Sequence, residues 1–336
     1  MDEIEPKKDR PVRGIGLMSG GLDSMLAARV LMDQGVEVVS VTFKTPFFGS
    51  ERGERAGQVL GIRHIVLDIT EDHLTMVKDP AHGYGRNMNP CIDCHAMMFE
   101  KAGELLEDLE ADFLFSGEVL GQRPMSQNQG ALRTVEKVSG YEGLILRPLS
   151  ALLLPETRAE VSGQVDRSRL LDIQGRSRKN QMELAEKYGI EEYPSPGGGC
   201  LLTDPGFSVR LNELLVKNPD AAPMDIERLK VGRHFRSPGG SKIVVGRHHA
   251  DNEILAGLVE TGDFSLKVKD FPGPLALVEG PATRTDLELA ASITVRYSKA
   301  AREIQAEVTV NGPGNSEETI TVTPADEATV EGCRIV

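Results

Sequence analysis

The stretch Val12–Ser24 reads VRGIGLMSGGLDS, and it decides the fold of the first half of the chain. Its beginning, Val12–Met18, is a short apolar run typical of a buried β-strand, and the turn SGGLDS follows at once. Beyond this turn, apolar residues such as Leu26 and Val30 recur at helical spacing. Strand, glycine-rich turn and helix in this order predict the first βα unit of a parallel sheet.

Further apolar runs extend this pattern to about Ile190 and alternate with segments of helical periodicity. The predicted strands are Glu37–Phe43, His64–Ile69, Ala111–Glu118 and Leu144–Leu149, and a helix is predicted from about Asp93 to Glu107. The sequence therefore predicts an α/β domain with a parallel sheet over residues 1–192.

The amino-acid composition changes at residues 193–206, YPSPGGGCLLTDPG, which hold three prolines and four glycines. Such a composition is typical of a linker, and this one carries Cys200. Residues 207–336 then predict short helices, a hairpin around 237–240, helices near 251–259 and 285–298, and alternating strands at the end. We expect a smaller α+β domain there.

Composition excludes some classes of function. Hydrophobic residues make up 40% of the 336 residues, and no apolar run is long enough for a membrane-spanning helix. The first residues, MDEIEPKKDRPVR, lack the apolar core of a secretory signal, so we expect a cytoplasmic protein without a membrane partner. The net charge of −13 argues against nucleic-acid binding through overall charge and requires a local basic patch for any such partner.

The turn after the first strand has the chemistry of a phosphate cradle. Glycines let backbone N–H groups approach an oxyanion, serines add hydroxyl donors, and the following helix N-terminus adds positive potential. The residues expected to contact such an anion are Ser19, Gly20, Gly21, Asp23 and Ser24. The Gly-Lys-Ser/Thr ending of a Walker-type loop is absent.

This turn resembles the signature of the PP-loop ATPases, the adenine nucleotide alpha hydrolase-like enzymes. The resemblance implies ATP as cofactor, with Mg²⁺, cleavage between the α and β phosphates, and activation of a carbonyl oxygen as its AMP ester. It also gives Asp23 two possible roles, as a Mg²⁺ ligand or as a proton acceptor. The residues alone leave that choice open.

The cysteines suggest metal or sulfur chemistry, because a cytosolic chain keeps its thiols reduced. Cys91 and Cys94 stand three residues apart at the predicted start of a helix, a spacing that can chelate one metal centre. Cys200 adds a third thiol on the glycine-rich turn that includes Gly199. Three thiolates can hold an iron–sulfur cube with one open iron. Zinc with His95 or Cys333 as fourth ligand, or a persulfide or disulfide pair between Cys94 and Cys200, remain alternatives.

A CxxC pair with one distant cysteine, downstream of a PP-loop, resembles the tRNA thiolases that carry a 4Fe-4S cluster. The segment SGEVLGQ (residues 116–122) also resembles the loop of the 4-thiouridine synthetase after its fourth strand, which places Gly117 among the ATP contacts. The resemblance implies Cys91, Cys94 and Cys200 as cluster ligands, tRNA as substrate, and sulfide or a persulfide protein as sulfur donor. The chain departs from this family at Met98, where a lysine is usual, and at Gln122, near a usual aspartate.

Two basic clusters are candidate RNA contacts. Residues 226–249 hold six Arg and Lys against Glu227 alone, a local charge of +5. The run RHFR (residues 233–236) followed by KIVVGR (242–247) resembles the RNA-binding domain of the NFACT proteins, which implies RNA binding by residues 207–336. The second cluster, Arg176, Arg178 and Lys179, can contact phosphates of ATP or of RNA, or can simply be solvated.

Together these residues predict an ATP-dependent tRNA sulfurtransferase that forms AMP and thiolates a uridine with sulfide held on the cluster. Glu118 is a candidate general base. Two alternatives stay open: a PP-loop amide- or nitrile-forming synthetase with structural zinc, and a non-catalytic RNA-binding adaptor.

Overall fold

The computed structural model describes residues 10–193 and 199–336 and divides into two compact units. Unit 1 extends to Thr203, and unit 2 begins at Asp204. The strands of unit 1 are β1 (Arg13–Leu17), β2 (Glu37–Lys44), β3 (Arg63–Asp68), β4 (Phe113–Ser116) and β5 (Ile145–Leu146). Its helices are α1 (Leu22–Met32), α2 (Glu51–Leu60), α3 (Thr70–Lys78), α4 (Cys91–Gly103), α5 (Gln129–Ser139), α6 (Arg158–Val161) and α7 (Lys179–Lys187).

Unit 1 is built on a parallel sheet with the strand order β3-β2-β1-β4-β5. The chain moves outward in one direction from β1 to β3 and then returns to add β4 and β5 on the other side. The carboxyl ends of β1 and β4 therefore flank the point at which the order reverses, which is where an open α/β sheet forms its ligand crevice. The predicted α/β class with a parallel sheet is confirmed.

The pleat of the strands sorts the core of unit 1 into two layers. Phe113 and Phe115 of β4 pack with α1 on one face, whereas Leu114 packs with Phe99 of α4 and Val135 of α5 on the other. Because alternate side chains of a strand point to opposite faces, a strand covered on both sides reads as a continuous apolar run. The strands of unit 1 could therefore be predicted from the sequence as apolar runs.

Unit 2 is built on an antiparallel sheet with the order β11-β10-β8-β9-β7-β6. The strands are β6 (Arg233–Arg236), β7 (Lys242–Val245), β8 (Phe264–Val268), β9 (Leu275–Val278), β10 (Ala306–Gly312) and β11 (Ser316–Val322). The helices are α8 (Pro205–Lys217), α9 (Pro223–Leu229), α10 (His249–Gly257), α11 (Arg284–Arg296) and α12 (Glu327–Cys333). Residues of α11 join β6, β8 and β10 in the main core, so the predicted α+β character is confirmed.

No helix among the described residues is long and apolar enough to cross a membrane.

Candidate functional site

The phosphate loop (Ser19–Ser24) connects β1 to α1 at the ligand crevice of unit 1. Gly21 is the N-cap of α1 and has extended backbone angles, and no side chain caps the first turn of this helix. The first N–H groups of a helix have no partner within the helix, so an uncapped N-terminus can donate to an anion. Ser24 Oγ donates to the carbonyl of Gly21 at 2.8 Å, which stiffens the turn.

Two glycines let neighbouring backbone close around the loop. Gly20 has a φ of +73°, and a Cβ there would overlap the carbonyl of Arg52 at the start of α2. Gly117, immediately after β4, lies so close to the backbone of Asp23 and Ser24 that a side chain would collide with it. The segment after β4 therefore packs directly on the phosphate loop, which gives Gly117 a structural place beside the predicted ATP contacts.

Asp23 has a partner that the sequence did not suggest. Gln122 Nε2 donates to Asp23 Oδ2 at 2.9 Å, while Asp23 Oδ1 and Gln122 Oε1 are buried without a hydrogen-bond partner among the described residues. A buried oxygen that lacks a donor is a costly arrangement unless a ligand completes it. The free oxygen of Asp23 therefore suits a cation such as Mg²⁺ or a donor group of a bound substrate. Gln122 occupies the region where the resembling family has an aspartate.

Cys91 and Cys94 lie in the first turn of α4, as the spacing predicted. Asn89 Nδ2 donates to Cys91 Sγ at 3.1 Å. Cys94 is buried, and its Sγ lies 3.3 Å from His73 Nε2 of α3. His73 is enclosed by the rings of Phe47 and Phe48, and burial lowers its pKa to about 4, so the imidazole is neutral near pH 7. No spacing signal links His73 to Cys94, since they stand 21 residues apart.

Cys200 belongs to unit 1 and is tied to it by its neighbours. Leu201 N–H donates to the carbonyl of Phe47 at 3.0 Å, and Phe47 also packs on His73. Burial raises the pKa of Cys200 to about 11, although the Leu202 N–H and the Arg123 charge act in the opposite direction. Burial, and to a smaller extent the proximity of Cys200 and Cys91, raise the pKa of Cys94. The three predicted thiols thus lie within electrostatic range of one another.

The three thiols are a suitable donor set for a soft metal centre, but they do not stand at ligand distances. Within residues 10–193 and 199–336, no three His, Cys, Asp or Glu side chains form a group that could hold a metal ion. Their sulfurs would have to converge to bind a cluster. Most of the glycine-rich turn that precedes Cys200, residues 196–198, lies outside the described residues.

His95 and Glu118 form a buried polar network between the cysteines and the phosphate loop. His95 Nδ1 lies 2.8 Å from Glu118 Oε1, and Arg147 Nε donates to Glu118 Oε2 at 3.0 Å. Burial alone would raise the pKa of Glu118, but Arg147 and His95 outweigh it and lower the pKa to about 2. Since the carboxylate is ionised near pH 7, His95 Nδ1 carries the hydrogen of their bond.

This network bears on two expectations. Arg147 and His95 hold the Glu118 carboxylate ionised near neutral pH, because they lower its pKa to about 2, and its role as a general base stays a prediction. His95 is held by Glu118 through its Nδ1, and zinc with His95 as a fourth ligand stays an alternative. In unit 2, Cys333 ends α12 and packs against the hydrophobic core.

The basic cluster of unit 2 is largely neutralised by acids of the same unit. Arg228 is 3% exposed and donates to Asp263 at 2.6 Å, and Lys242 is 1% exposed and donates to Glu213 at 3.0 Å. The remaining ion pairs are Arg236 with Glu213, Arg247 with Asp251, and Lys230 with Glu227. Five of the six cations therefore have carboxylate partners, and those of Arg228, Arg236 and Lys242 come from distant parts of the chain.

Among the cations of this cluster, Arg233 is the one without a carboxylate partner in the described part of unit 2. Its guanidinium lies 4.4 Å from the ring centroid of Tyr297 and donates to the carbonyl of Gly246 at 3.2 Å. A stacked arginine of this kind keeps donors available for a phosphate or a base.

Comparison with known proteins supports the two resemblances. Residues 12–153 match the family model described as thiamine biosynthesis protein (ThiI), and residues 232–332 match the NFACT protein RNA binding domain. The first segment contains the phosphate loop, the CxxC pair and Gly117, whereas Cys200 lies outside both segments. The predicted resemblance to these two families is confirmed for the segments matched.

Relatives with curated descriptions include tRNA-specific 2-thiouridylase MnmA from Methylobacterium nodulans, 31% identical over 145 residues, which are 38% of this chain and 38% of that protein. The same enzyme from Brucella canis is 31% identical over 151 residues, 39% of this chain and 37% of that one. The chain thus spans under two fifths of the length of these relatives.

A solved 4-thiouridine synthetase–RNA complex with bound ATP shows 20% identity and a TM-score of 0.36, and the match covers 65% of this chain and 53% of that one. A TM-score this low carries no argument about the site.

Proposed function

We propose that the chain is an ATP-dependent tRNA sulfurtransferase, which forms AMP and thiolates a uridine. The observation that carries the proposal is the convergence of two chemistries in unit 1. Gly117 packs on the phosphate loop, and the next residue, Glu118, holds His95, which directly follows Cys94. A thiol centre beside an ATP loop fits a reaction that first activates an oxygen and then replaces it with sulfur.

The phosphate loop would hold ATP through the uncapped N-terminus of α1, which includes Ser24, and through the hydroxyl of Ser19, whereas the hydroxyl of Ser24 shapes the loop through its bond to Gly21. The O4 or O2 of a uridine attacks the α-phosphorus, a new P–O bond forms, and pyrophosphate leaves with the electron pair of the broken bond. Asp23, oriented by Gln122, has a free oxygen that would hold Mg²⁺ near the phosphates. Adenylation turns a poor leaving oxygen into a good one, so that sulfur can displace AMP.

We further propose Cys91, Cys94 and Cys200 as ligands of a 4Fe-4S cluster, which when bound supplies sulfide at an open iron. Their donor chemistry fits such a group, although the sulfurs must converge to hold it. The amide of Asn89 steadies Cys91 Sγ, and the neutral imidazole of His73 packs against Cys94 Sγ in surroundings that exclude water. Sulfide or a persulfide protein would renew the sulfur.

Unit 2 is the proposed tRNA-binding part. Support comes from its match to the NFACT RNA-binding model, and the relatives named as tRNA-specific enzymes suggest tRNA as the RNA. The net charge of the chain is −13, so RNA must approach local positive surfaces and not the protein as a whole.

The test is an anaerobic assay with ATP, Mg²⁺, unmodified tRNA and sulfide, in which AMP and thiouridine are measured by chromatography and mass spectrometry. We expect tRNA-dependent AMP release and roughly four irons and four sulfides per chain. Cys200→Ala should lose the iron and the thiouridine but still bind ATP, whereas Cys333→Ala should retain all three. Asp23→Ala should lower AMP release by about 100-fold or more.

Each alternative has its own outcome. One bound zinc, with AMP release that needs no RNA, would favour an amide- or nitrile-forming synthetase. RNA binding without any AMP release would favour an adaptor. Thiolation in air by an iron-free protein that is supplied with a persulfide donor would mean that the outer sulfur of the donor passes to Cys94 or Cys200 and from there to the uridine.

A further inference from the structure

A basic rim lies beside the phosphate loop on the surface of unit 1. It consists of Arg123, Arg176, Arg178 and Lys179. The first of these follows Gln122, whose side chain holds Asp23 of the loop. The other three stand in the segment that leads into α7, and their position was not predicted by the sequence.

Backbone contacts bring the two parts of the rim together. Leu120 and Gln174 form a parallel bridge, and Gly175 N–H donates to the carbonyl of Leu120 at 2.7 Å. Gly121 and Gly175 approach so closely that a Cβ on Gly121 would lie 3.5 Å from the nitrogen of Gly175. Residues 176–179 therefore leave this junction within a few residues of the Gln122–Asp23 contact, although they are more than 150 residues from Asp23 in sequence.

The cations of the rim are available to a ligand. Arg123, Arg176 and Lys179 are exposed, and Arg178 is half-buried with its Nε unpartnered. Within the described residues, only Lys179 has a carboxylate within 4.0 Å, that of Glu183 at 3.8 Å in an exposed pair. Exposed pairs of this kind contribute little. The rim thus differs from the basic cluster of unit 2, in which most of the cations are already paired with carboxylates.

The proposed reaction indicates which anion the basic rim should bind. A uridine oxygen must reach the α-phosphorus of ATP at the phosphate loop, so the phosphodiesters next to that uridine must pass beside the loop. The backbone N–H groups of the phosphate loop are the expected contacts of ATP, whereas the cations of the rim stand on side chains that are mostly exposed. Long, solvated cations without acid partners are typical contacts of a nucleic-acid backbone.

We propose that the basic rim binds the RNA phosphodiesters flanking the target uridine and so positions that uridine over the phosphate loop. This inference rests on the proposed function, and it assigns to unit 1 a share of the RNA binding that the family match places in unit 2.

The test compares wild-type protein with the triple variant Arg123→Gln/Arg176→Gln/Lys179→Gln. Lys187→Gln is the matched control, because Lys187 ends the same helix about 12 Å from Lys179. The affinity of the full chain for tRNA is measured by fluorescence anisotropy across a salt series, and the Kd for ATP is measured separately without RNA. Thermal melting followed by circular dichroism confirms that the variants fold.

We expect the triple variant to bind tRNA at least about tenfold more weakly near 0.15 M salt and to lose about 2 from the slope of log K against log salt. Its Kd for ATP should stay within about twofold of wild type, and the control should match wild type in both assays. A weaker affinity for ATP with an unchanged RNA slope would assign the rim to the nucleotide and overturn the inference. Unchanged affinities for tRNA and for ATP would show that the side chains of the basic rim contact only solvent, and would also overturn the inference.

Failure of the proposed function has a different signature. If wild-type protein forms no thiouridine but the triple variant loses RNA affinity and slope as expected, the rim remains an RNA contact and only the chemistry is wrong. If wild-type protein thiolates tRNA and the slope of the variant is unchanged, only the rim is wrong.

Discussion

The buried pair of Glu118 and Arg147 should make a large, pH-dependent contribution to the stability of unit 1. Arg147 Nε donates to Glu118 Oε2 at 3.0 Å, and both side chains are almost fully buried. Glu118→Gln keeps the size of the side chain but removes the charge that Arg147 and His95 contact. Breaking a buried ion pair typically destabilises a protein by about 3–5 kcal/mol, and we expect the lower end of this range because Arg147 keeps a second carboxylate partner, Glu136.

The pKa of Glu118 gives an independent magnitude. Its fall from 4.5 to about 2 corresponds to about 3 kcal/mol in favour of the ionised form in the folded protein. A lowered pKa means that this contribution is fully present above about pH 4.5 and is lost as the pH falls toward 2. We therefore expect Glu118→Gln to be about 3 kcal/mol less stable at pH 7 and the gap to close progressively between pH 4.5 and pH 2.

The assay must report on unit 1 alone, because two units need not unfold together. Urea-dependent hydrogen exchange, read by mass spectrometry on peptides covering β4 and α5, gives the free energy of opening at pH 7 and at pH 3. The exposed Glu142→Gln in the same unit is the control and should change stability by under about 0.5 kcal/mol. A loss below about 1 kcal/mol at pH 7, or a gap that is the same at both pH values, would refute the reasoning.

Two further predictions follow from close packing and from buried charge. Gly117→Ala should weaken ATP binding, measured by calorimetry, by about tenfold or more, because the new Cβ would displace the backbone of Asp23 and Ser24. Gly257→Ala is the control: a Cβ there meets no neighbouring atom, so ATP binding should be unchanged. Lys242→Glu should unfold or strongly destabilise unit 2, because it buries a second carboxylate against Glu213. The control variant Lys267→Glu changes an exposed lysine and should have the melting temperature of wild type. Equal melting of the two lysine variants would contradict the ion-pair interpretation.

The phosphate loop and the parallel sheet could be predicted because their signals are local. A strand buried on both faces requires an apolar run, and a tight anion turn requires Gly20 and Gly21 within a few residues of each other. The CxxC pair is local in the same sense, since one helical turn brings Cys91 and Cys94 together. For such features the chain neighbours are also the spatial neighbours.

The partners of the charged groups could not be predicted from the sequence, because these charge pairs form across the fold. The sequence shows a run of cations in residues 226–249, but the acids that neutralise Arg228, Arg236 and Lys242 come from other helices and loops. Glu118 is similar: its role depends on Arg147, which is 29 residues away. A sum of charges over a window counts neighbours in sequence, whereas pairing depends on neighbours in space.

By itself, the sequence determined the fold class, the phosphate loop, the CxxC pair and the two family resemblances, because each depends on residues that are close together in the chain. Only the tertiary structure decided which charges are free. It paired most of the cations in residues 226–249 with acids, kept Glu118 ionised near pH 7, joined Gln122 to Asp23, and placed the segment before α7 beside Leu120. These outcomes depend on strand order and loop packing, which set distances between residues far apart in the chain.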